Sequence, residues 1–299
     1  KAHYLATTPM TTTTWTDRYY PSRDGLRLHY RDYGAAAATE RPPVLCIAGL
    51  TRNARDFEDL APRIAAGRRV LCADLRGRGY SQHDPKWPNY HPATYIEDLQ
   101  RLLDHAQVER LVLLGTSLGG ILSMVLTSLQ PERVAGVVLN DIGPEIAHEG
   151  RERIANYVGR HPPVHSWDEA VAQAKATYGL ALPDLTDAQW LVHAKRAYSE
   201  VDGVPRLDAD PMIGMAVRAG SGSDEPNLWA TYQALGPVPT LAIRGATSDI
   251  LSPETFDRMA DVKPDLVRVT VPNRGHTPLL DEPECLDAIG AFLDRVSTP

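Results

Sequence analysis

The chain reads as a mostly parallel α/β sheet flanked by helices, with an all-helical cap inserted in it. Three observations predict this. Short apolar runs such as "PVLCIAG" and "RRVLCADLRG" end in glycine-rich turns, as strands buried on both faces of a parallel sheet do. Strand-like and helix-like segments alternate up to Asn140 and again after Pro239, the rhythm of α/β proteins. Between Gly143 and about Gly236 the alternation stops, and the segment predicts helices broken by prolines and glycines. The expected organisation is an arm over residues 1–16, a first core part over 17–142, a helical cap over 143–236 and a second core part over 237–299.

Taken in order, the chain opens on "KAHYLATTPMTTTTW". Met10 is a plausible native start, so residues 1–9 are set aside as an expression or processing remnant, and the threonine run reads as a loose arm. Arg18–Pro21 and Leu26–Tyr33 flank Asp24-Gly25, a hairpin signal. An alanine-rich loop leads into "PVLCIAG". Residues Arg55 to Ala66 are helix-compatible before the strand of "RRVLCADLRG". Pro92 opens a helix whose Tyr95, Leu99, Leu102 and Ala106 share one face. The strand Leu111–Leu114 follows, then a helix with Leu118, Ile121, Leu122, Val125, Leu126 and Leu129 on one face, then the strand Val134–Asn140. Helical pieces are expected at Ala147–Tyr157, Trp167–Tyr178 and Asp187–Tyr198. The core resumes with "PTLAIRG", a helix after Pro253, "LVRVTVP" and a last helix from Pro283 to Val296.

The 299 residues can bury a sizeable core, and 43% hydrophobic with 23% charged residues is an ordinary globular balance. A net charge of -7 argues against nucleic acid or an acidic membrane as main partner. No apolar run approaches the length of a membrane span. Cys46, Cys72 and Cys285 lie far apart without metal-ligand spacing, so they read as small buried hydrophobes, and a cytoplasmic location is expected.

The chemistry is concentrated at "LVLLGTSLGG". Gly115-Thr116-Ser117-Leu118-Gly119 fits G-x-S-x-G, a sharp strand-to-helix turn that exposes a nucleophilic serine. A side chain at either glycine would collide with neighbouring backbone. A serine hydroxyl needs an adjacent base, itself oriented by a carboxylate. Of the ten histidines, His29 lies in the early hairpin, His105 near a helix end, His83 and His91 before the serine, and His148, His161, His165 and His193 in the cap. His276, in "VPNRGHTPLLDEPE", follows a late strand at the sheet's C-terminal edge, where open α/β sheets gather their sites. For the acid, Asp249 in "LAIRGATSDILSP" is preferred, with Asp141 after "VAGVVLN" as competitor. Oxyanion stabilisation needs two backbone N–H groups, expected at Leu118 and, after "CIAG", at Leu50. "DLRGRGYS" lacks the spacings of nucleotide loops and reads as a structural turn.

With these pieces in place, the chain resembles the α/β-hydrolase superfamily, in its capped group of esterases, lactonases and carbon–carbon bond hydrolases. The matching pieces are "AGLTRNARDF", "ADLRGRGYS", "LGTSLGG", "RGATSDILSPE" and "NRGHTPLLDEPE", from about Arg18 onward. Many relatives have His-Gly where this chain has Ala48-Gly49; the backbone donor can survive that change. Serine at the elbow argues against relatives that use aspartate there.

The expected function is therefore a serine hydrolase of a small to medium, partly apolar carboxylic ester or lactone. Ser117, His276 and Asp249 would be catalytic, and Leu50 and Leu118 would form the oxyanion hole. Arg52, Asp141, Trp190 and Met212 are candidate substrate contacts. No cofactor and no metal are expected, and the partner is a small-molecule substrate rather than nucleic acid or membrane. The alternatives are carbon–carbon bond hydrolysis of a ring-cleavage product, or a ligand-binding receptor on the same scaffold.

Overall fold

A computed structural model describes residues 14–34, 40–220 and 227–296. Met10, residues 1–9 ahead of it and most of the expected arm lie outside these residues, as does the alanine-rich loop. β1 (Thr16–Pro21) and β2 (Arg27–Asp32) form the expected hairpin, with Gly25 at φ 87° in its turn. After β3 (Val44–Ile47) the helix-compatible stretch divides into a 3-10 turn, Ala54–Phe57, and a short α1 (Ala61–Ala65). Pro62 explains the division, because a proline cannot donate into a continuing helix and fits best in a first turn. β4 (Val70–Asp74), α2 (Pro92–His105), β5 (Leu111–Thr116), α3 (Leu118–Leu129) and β6 (Val134–Asn140) follow.

The segment between β6 and β9 holds α4 (His148–Tyr157), α5 (Trp167–Tyr178), α6 (Asp187–Ala197), β7 (Tyr198–Val201), β8 (Val204–Leu207), α7 (Ile213–Gly220) and α8 (Trp229–Gln233). The all-helical expectation is corrected here, because β7 and β8 pair antiparallel. Asp202 and Gly203, both at positive φ, make the two-residue turn between them. The same Asp-Gly signal marked the first hairpin, but these strands are only four residues each. β9 (Thr240–Gly245), α9 (Pro253–Val262), β10 (Val267–Val271) and α10 (Pro283–Arg295) complete the chain.

The sheet has eight strands in the order β1-β2-β4-β3-β5-β6-β9-β10, parallel from β4 to β10. Alternate residues of each central strand feed two separate cores. Leu45, Leu113 and Leu139 pack with α2 and α3, whereas Cys46, Leu114 and Val138 pack with α1 and α10. Both faces are covered, so the central strands are apolar except at or near their ends. Cys46, Cys72 and Cys285 are buried free thiols in the second core.

α3 departs from its expected amphipathic face. Leu129 is exposed, while Gly119, Gly120, Ser123 and Thr127 are buried. Small residues let this helix lie close on the strands: a side chain at Gly119 would stand 2.0 Å from the Ile47 carbonyl oxygen. Ile121 and Val125 pack as partly buried residues on the edge of the first core. Among the described residues no helix is long and apolar enough to cross a membrane.

Candidate active site

Ser117 stands between β5 and α3 at φ 53°, ψ -116°. For a residue with a side chain this is a strained conformation. It is held by backbone bonds, the Ser117 N–H donating to the Asn140 carbonyl at 3.0 Å and the Ser117 carbonyl accepting from Gly120 at 2.9 Å. The glycine requirement of the motif is steric. A Cβ at Gly115 would lie 2.2 Å from the Gly119 oxygen.

His276 Nε2 lies 2.8 Å from Ser117 Oγ, and its Nδ1 lies 2.7 Å from Asp141 Oδ2. A carboxylate only accepts, so Nδ1 carries the proton and Nε2 presents its lone pair to the serine hydroxyl. The His276 loop is tied down on both sides. Asn140 Nδ2 donates to the Pro278 carbonyl, Glu282 accepts from Leu279 and Leu280 N–H, and the Gly275 N–H donates to the Ala181 carbonyl of the segment between β6 and β9.

The preference for Asp249 as the partner of His276 is corrected by this geometry. Asp141, at φ 55° just past β6, is fully buried and accepts from three donors: Gly245 N–H at 2.8 Å, the Ser248 hydroxyl at 2.6 Å and His276. Asp249 instead pairs with Arg153 of α4 at 2.5 and 2.9 Å. Burial pushes the Asp249 carboxyl up, but the Arg153 bond and charge more than offset this and hold it below its ordinary value. The reason lies in sheet order. β6 neighbours β5, which leads into Ser117, and β9 lies one strand further out. The loop after β9 therefore serves Asp141, through Gly245 and Ser248, rather than supplying the carboxylate itself.

Leu50 and Leu118 flank the serine from two sides, Leu118 opening α3 and Leu50 following Gly49 after β3. Among the described residues neither N–H has a hydrogen-bond acceptor. A side chain at Gly49 would stand 3.6 Å from Ser117 Cβ.

The model of the alpha/beta hydrolase fold family matches residues 42–283. The chain belongs to this family. It is 32% identical over 270 residues to a 3-hydroxybutyrate-oligomer hydrolase of Cupriavidus necator, covering 86% of this chain and 89% of that one. It is 27% identical to a 2-(acetamidomethylene)succinate hydrolase of Mesorhizobium japonicum, covering 90% and 92%. Among solved structures, an alpha/beta hydrolase from Novosphingobium aromaticivorans superposes with a TM-score of 0.89 at 45% identity, covering 95% of this chain and all of that one.

In this alpha/beta hydrolase a cavity opens over Ser117 and His276. Gly49 to Arg52, Asp56 and Phe57 line one side; Ile154, Tyr157, Tyr178, Leu182, His193 and Arg196 line another. Of the expected substrate contacts, Arg52 is there. Asp141 lies beneath, against His276. Trp190 and Met212 do not line the cavity, which corrects both. Trp190 is buried in a separate small core with Val164, Ala170 and Leu182, and Met212 packs on the first core with its N–H on Asp210. Each is a large apolar residue spent on packing, the commoner fate of such residues. His193, dismissed above by its place in the sequence, is a cavity residue, together with Tyr157 and Tyr178. No spacing signals them, because their helices meet the sheet edge only in the fold. Asp56 did carry a signal, standing four residues after Arg52, to which it is paired.

Proposed function

We propose that this alpha/beta hydrolase is a serine hydrolase that cleaves a carboxylic ester or lactone of a small to medium, partly apolar substrate through an acyl-enzyme. The observation that carries this reading is the continuous relay Ser117–His276–Asp141, at 2.8 and 2.7 Å, opening on the cavity. Ser117 Oγ attacks the ester carbonyl carbon while His276 Nε2 takes its proton. The Leu50 and Leu118 N–H groups hold the oxyanion, helped by the positive N-terminal end of α3. Collapse breaks the bond to the alkoxide, which leaves with the proton from His276. Water then attacks the acyl carbon, gives a proton to His276, and the acid departs as Ser117 recovers its own. Asp141 holds the imidazole tautomer and stabilises the imidazolium.

In this reading residues 143–236 act as a cap that shapes the pocket through Ile154, Tyr157, Tyr178, Leu182, His193 and Arg196. The relatives' names, one a hydrolase of 3-hydroxybutyrate oligomers and one of 2-(acetamidomethylene)succinate, support a small-molecule substrate.

The test is a burst experiment with an activated aryl ester alongside labelling by a fluorophosphonate. A burst stoichiometric with enzyme, and a label on Ser117 that is absent from Ser117→Ala, are expected. Turnover without acyl-enzyme, or labelling elsewhere, would overturn the mechanism.

A further inference from the structure

Six buried side-chain nitrogen or oxygen atoms among the described residues have no hydrogen-bond partner, and four belong to residues lining the cavity over Ser117. Three of the four are nitrogens: Arg52 Nη1, His193 Nε2 and Arg196 Nε. The fourth, Asn140 Oδ1, is an acceptor on the sheet side, where the same amide already holds Thr116 and Pro278. Buried donors without acceptors are rare in folded proteins. Two arginine donors, joined by His193 Nε2 in the tautomer that protonates it, belong to residues lining one cavity, and this points to a ligand that accepts.

Arg52 is built for this. Asp56 occupies its Nε and Nη2 and leaves Nη1 uncommitted. Its stem runs beside the nucleophile, since Arg52 Cγ and Ser117 Cβ lie 3.8 and 3.6 Å from the place a Gly49 side chain would take. The guanidinium lies 5.9 Å over the Tyr178 ring. Tyr178 in turn meets His193 edge-on at 5.2 Å, and Trp190 backs His193 at 5.6 Å. Packing thus fixes both donors. Burial, and next the Arg52 charge, push the His193 imidazole down to about 3, so the ring is neutral at ordinary pH and able to donate one N–H. Arg196 gives Nη2 to Asp59 at 2.5 Å, while its Nε stands 3.8 Å from Glu58, beyond bonding distance. Both arginines are ion-paired from outside the cavity or at its rim, Arg52 with Asp56 and Arg196 with Asp59 and Glu58, so what they offer a ligand is the nitrogen each leaves without a hydrogen bond.

We propose that Arg52, His193 and Arg196 form a carboxylate subsite, so that the substrate is a small ester bearing a free carboxylate a few bonds from the scissile carbonyl; this rests on the ester-hydrolase reading. A carboxylate accepts from several donors at once and donates to none, which fits all three nitrogens. A neutral alkyl end would leave them buried and unpaired.

The experiment uses two probe pairs that place the charge on either side of the ester. These are para-nitrophenyl hydrogen glutarate with its methyl ester, and γ-acetoxybutyrate with its methyl ester. In wild type the anionic member of at least one pair should have the higher kcat/KM, by about tenfold or more. Arg52→Gln should erase that ratio, chiefly through KM. The double variant Arg52→Gln with Asp56→Asn, which does not strand a buried carboxylate, should erase it too. Calorimetric titration of Ser117→Ala, where nothing turns over, should give at least about tenfold tighter binding of the anionic probe. A preference that survives both variants, or equal binding of anion and methyl ester, would overturn the subsite. Cleavage of both members without preference overturns the subsite and leaves the hydrolase reading standing. Tighter anion binding without any cleavage does the reverse.

Discussion

Two aspartate–histidine pairs of equal length sit in this molecule, and they differ in what the histidine's other nitrogen faces. His276 Nδ1 lies 2.7 Å from Asp141, and His29 Nδ1 lies 2.7 Å from Asp74. Each pair also has a serine nearby. The difference is what faces the second ring nitrogen. For His276 it is the Ser117 hydroxyl, at the mouth of a cavity. For His29 it is the Asp17 carboxylate at 3.0 Å, and no hydroxyl faces that nitrogen. The neighbouring Ser81 is spent as well, giving its hydroxyl to the Asp74 carbonyl and accepting the His29 backbone N–H. His29 is fully buried and closes a turn: Asp74 also accepts from Ala54 and Tyr80 N–H, and a side chain at Gly79 would stand 2.3 Å from its carboxylate. The same bond thus acts as a staple in one place and, in the proposed mechanism, as the orienting half of a relay in the other. Distance alone does not separate them.

The sharpest way to break this contrast is to remove the hydroxyl. Ser117→Ala should cost about 10⁶-fold in kcat, because serine and base act as a unit, with the fold intact by circular dichroism. Activity near wild type in folded protein would undo the assignment. Next in size is the orienting acid. Asp141→Asn should lower kcat by about 10⁴-fold by favouring the wrong imidazole tautomer. A loss below tenfold, measured at saturating ester, would mean that another carboxylate serves His276.

The staple should fail differently. His29→Gln removes one partner from a pair whose side chains are 0% and 3% exposed. We expect about 3 kcal/mol lost in denaturant unfolding, since a buried carboxylate is left short of a donor. Turnover per folded molecule should stay within about twofold, because the sheet spreads this turn and Ser117 over different strands. A large kcat loss without a stability loss would contradict the division of labour.

Much of this was legible beforehand, for definite reasons. Strands covered on both faces are apolar through most of their length, so "PVLCIAG" and "VAGVVLN" stand out. The elbow is legible because Gly115 and Gly119 are demanded by close backbone approach. His276 was reachable through chain order. The carboxylate that bonds it was not, because both aspartates follow strands of the sheet, and only the β5-β6-β9 order, a property of the sheet rather than of either segment, decides between them. His193 was hidden for a related reason. It sits on α6 beside Trp190 in a pattern that looks like packing, and its exposure to the cavity depends on how that helix meets the loop at Asn53 and Arg55, both of which donate to the Arg196 carbonyl.

The smallest effect expected is at Asp249, the carboxylate that the sequence favours over Asp141 and that pairs with Arg153 instead of His276. Asp249 ties the start of the segment after β6 to the core: it pairs with Arg153, the neighbouring Ile250 carbonyl accepts from Ala147 N–H, and a side chain at Gly150 would meet the Asp249 carbonyl oxygen at 2.3 Å. Because Arg153 and Asp249 are each about a third exposed, solvent screens the pair and its worth is below about 1 kcal/mol. Asp249→Asn should therefore raise KM about two- to fivefold by loosening the wall that carries Ile154 and Tyr157, with kcat nearly unchanged. The sign of its pH dependence follows from the lowered carboxyl. A depressed folded value means the latch is complete above the ordinary carboxylate range and is lost as pH falls through the folded value. The KM gap between wild type and Asp249→Asn should persist across neutral pH, shrink with added salt, and close only below roughly pH 4. A kcat loss matching that of Asp141→Asn would return Asp249 to the relay and remove the contrast between latch and orienting acid.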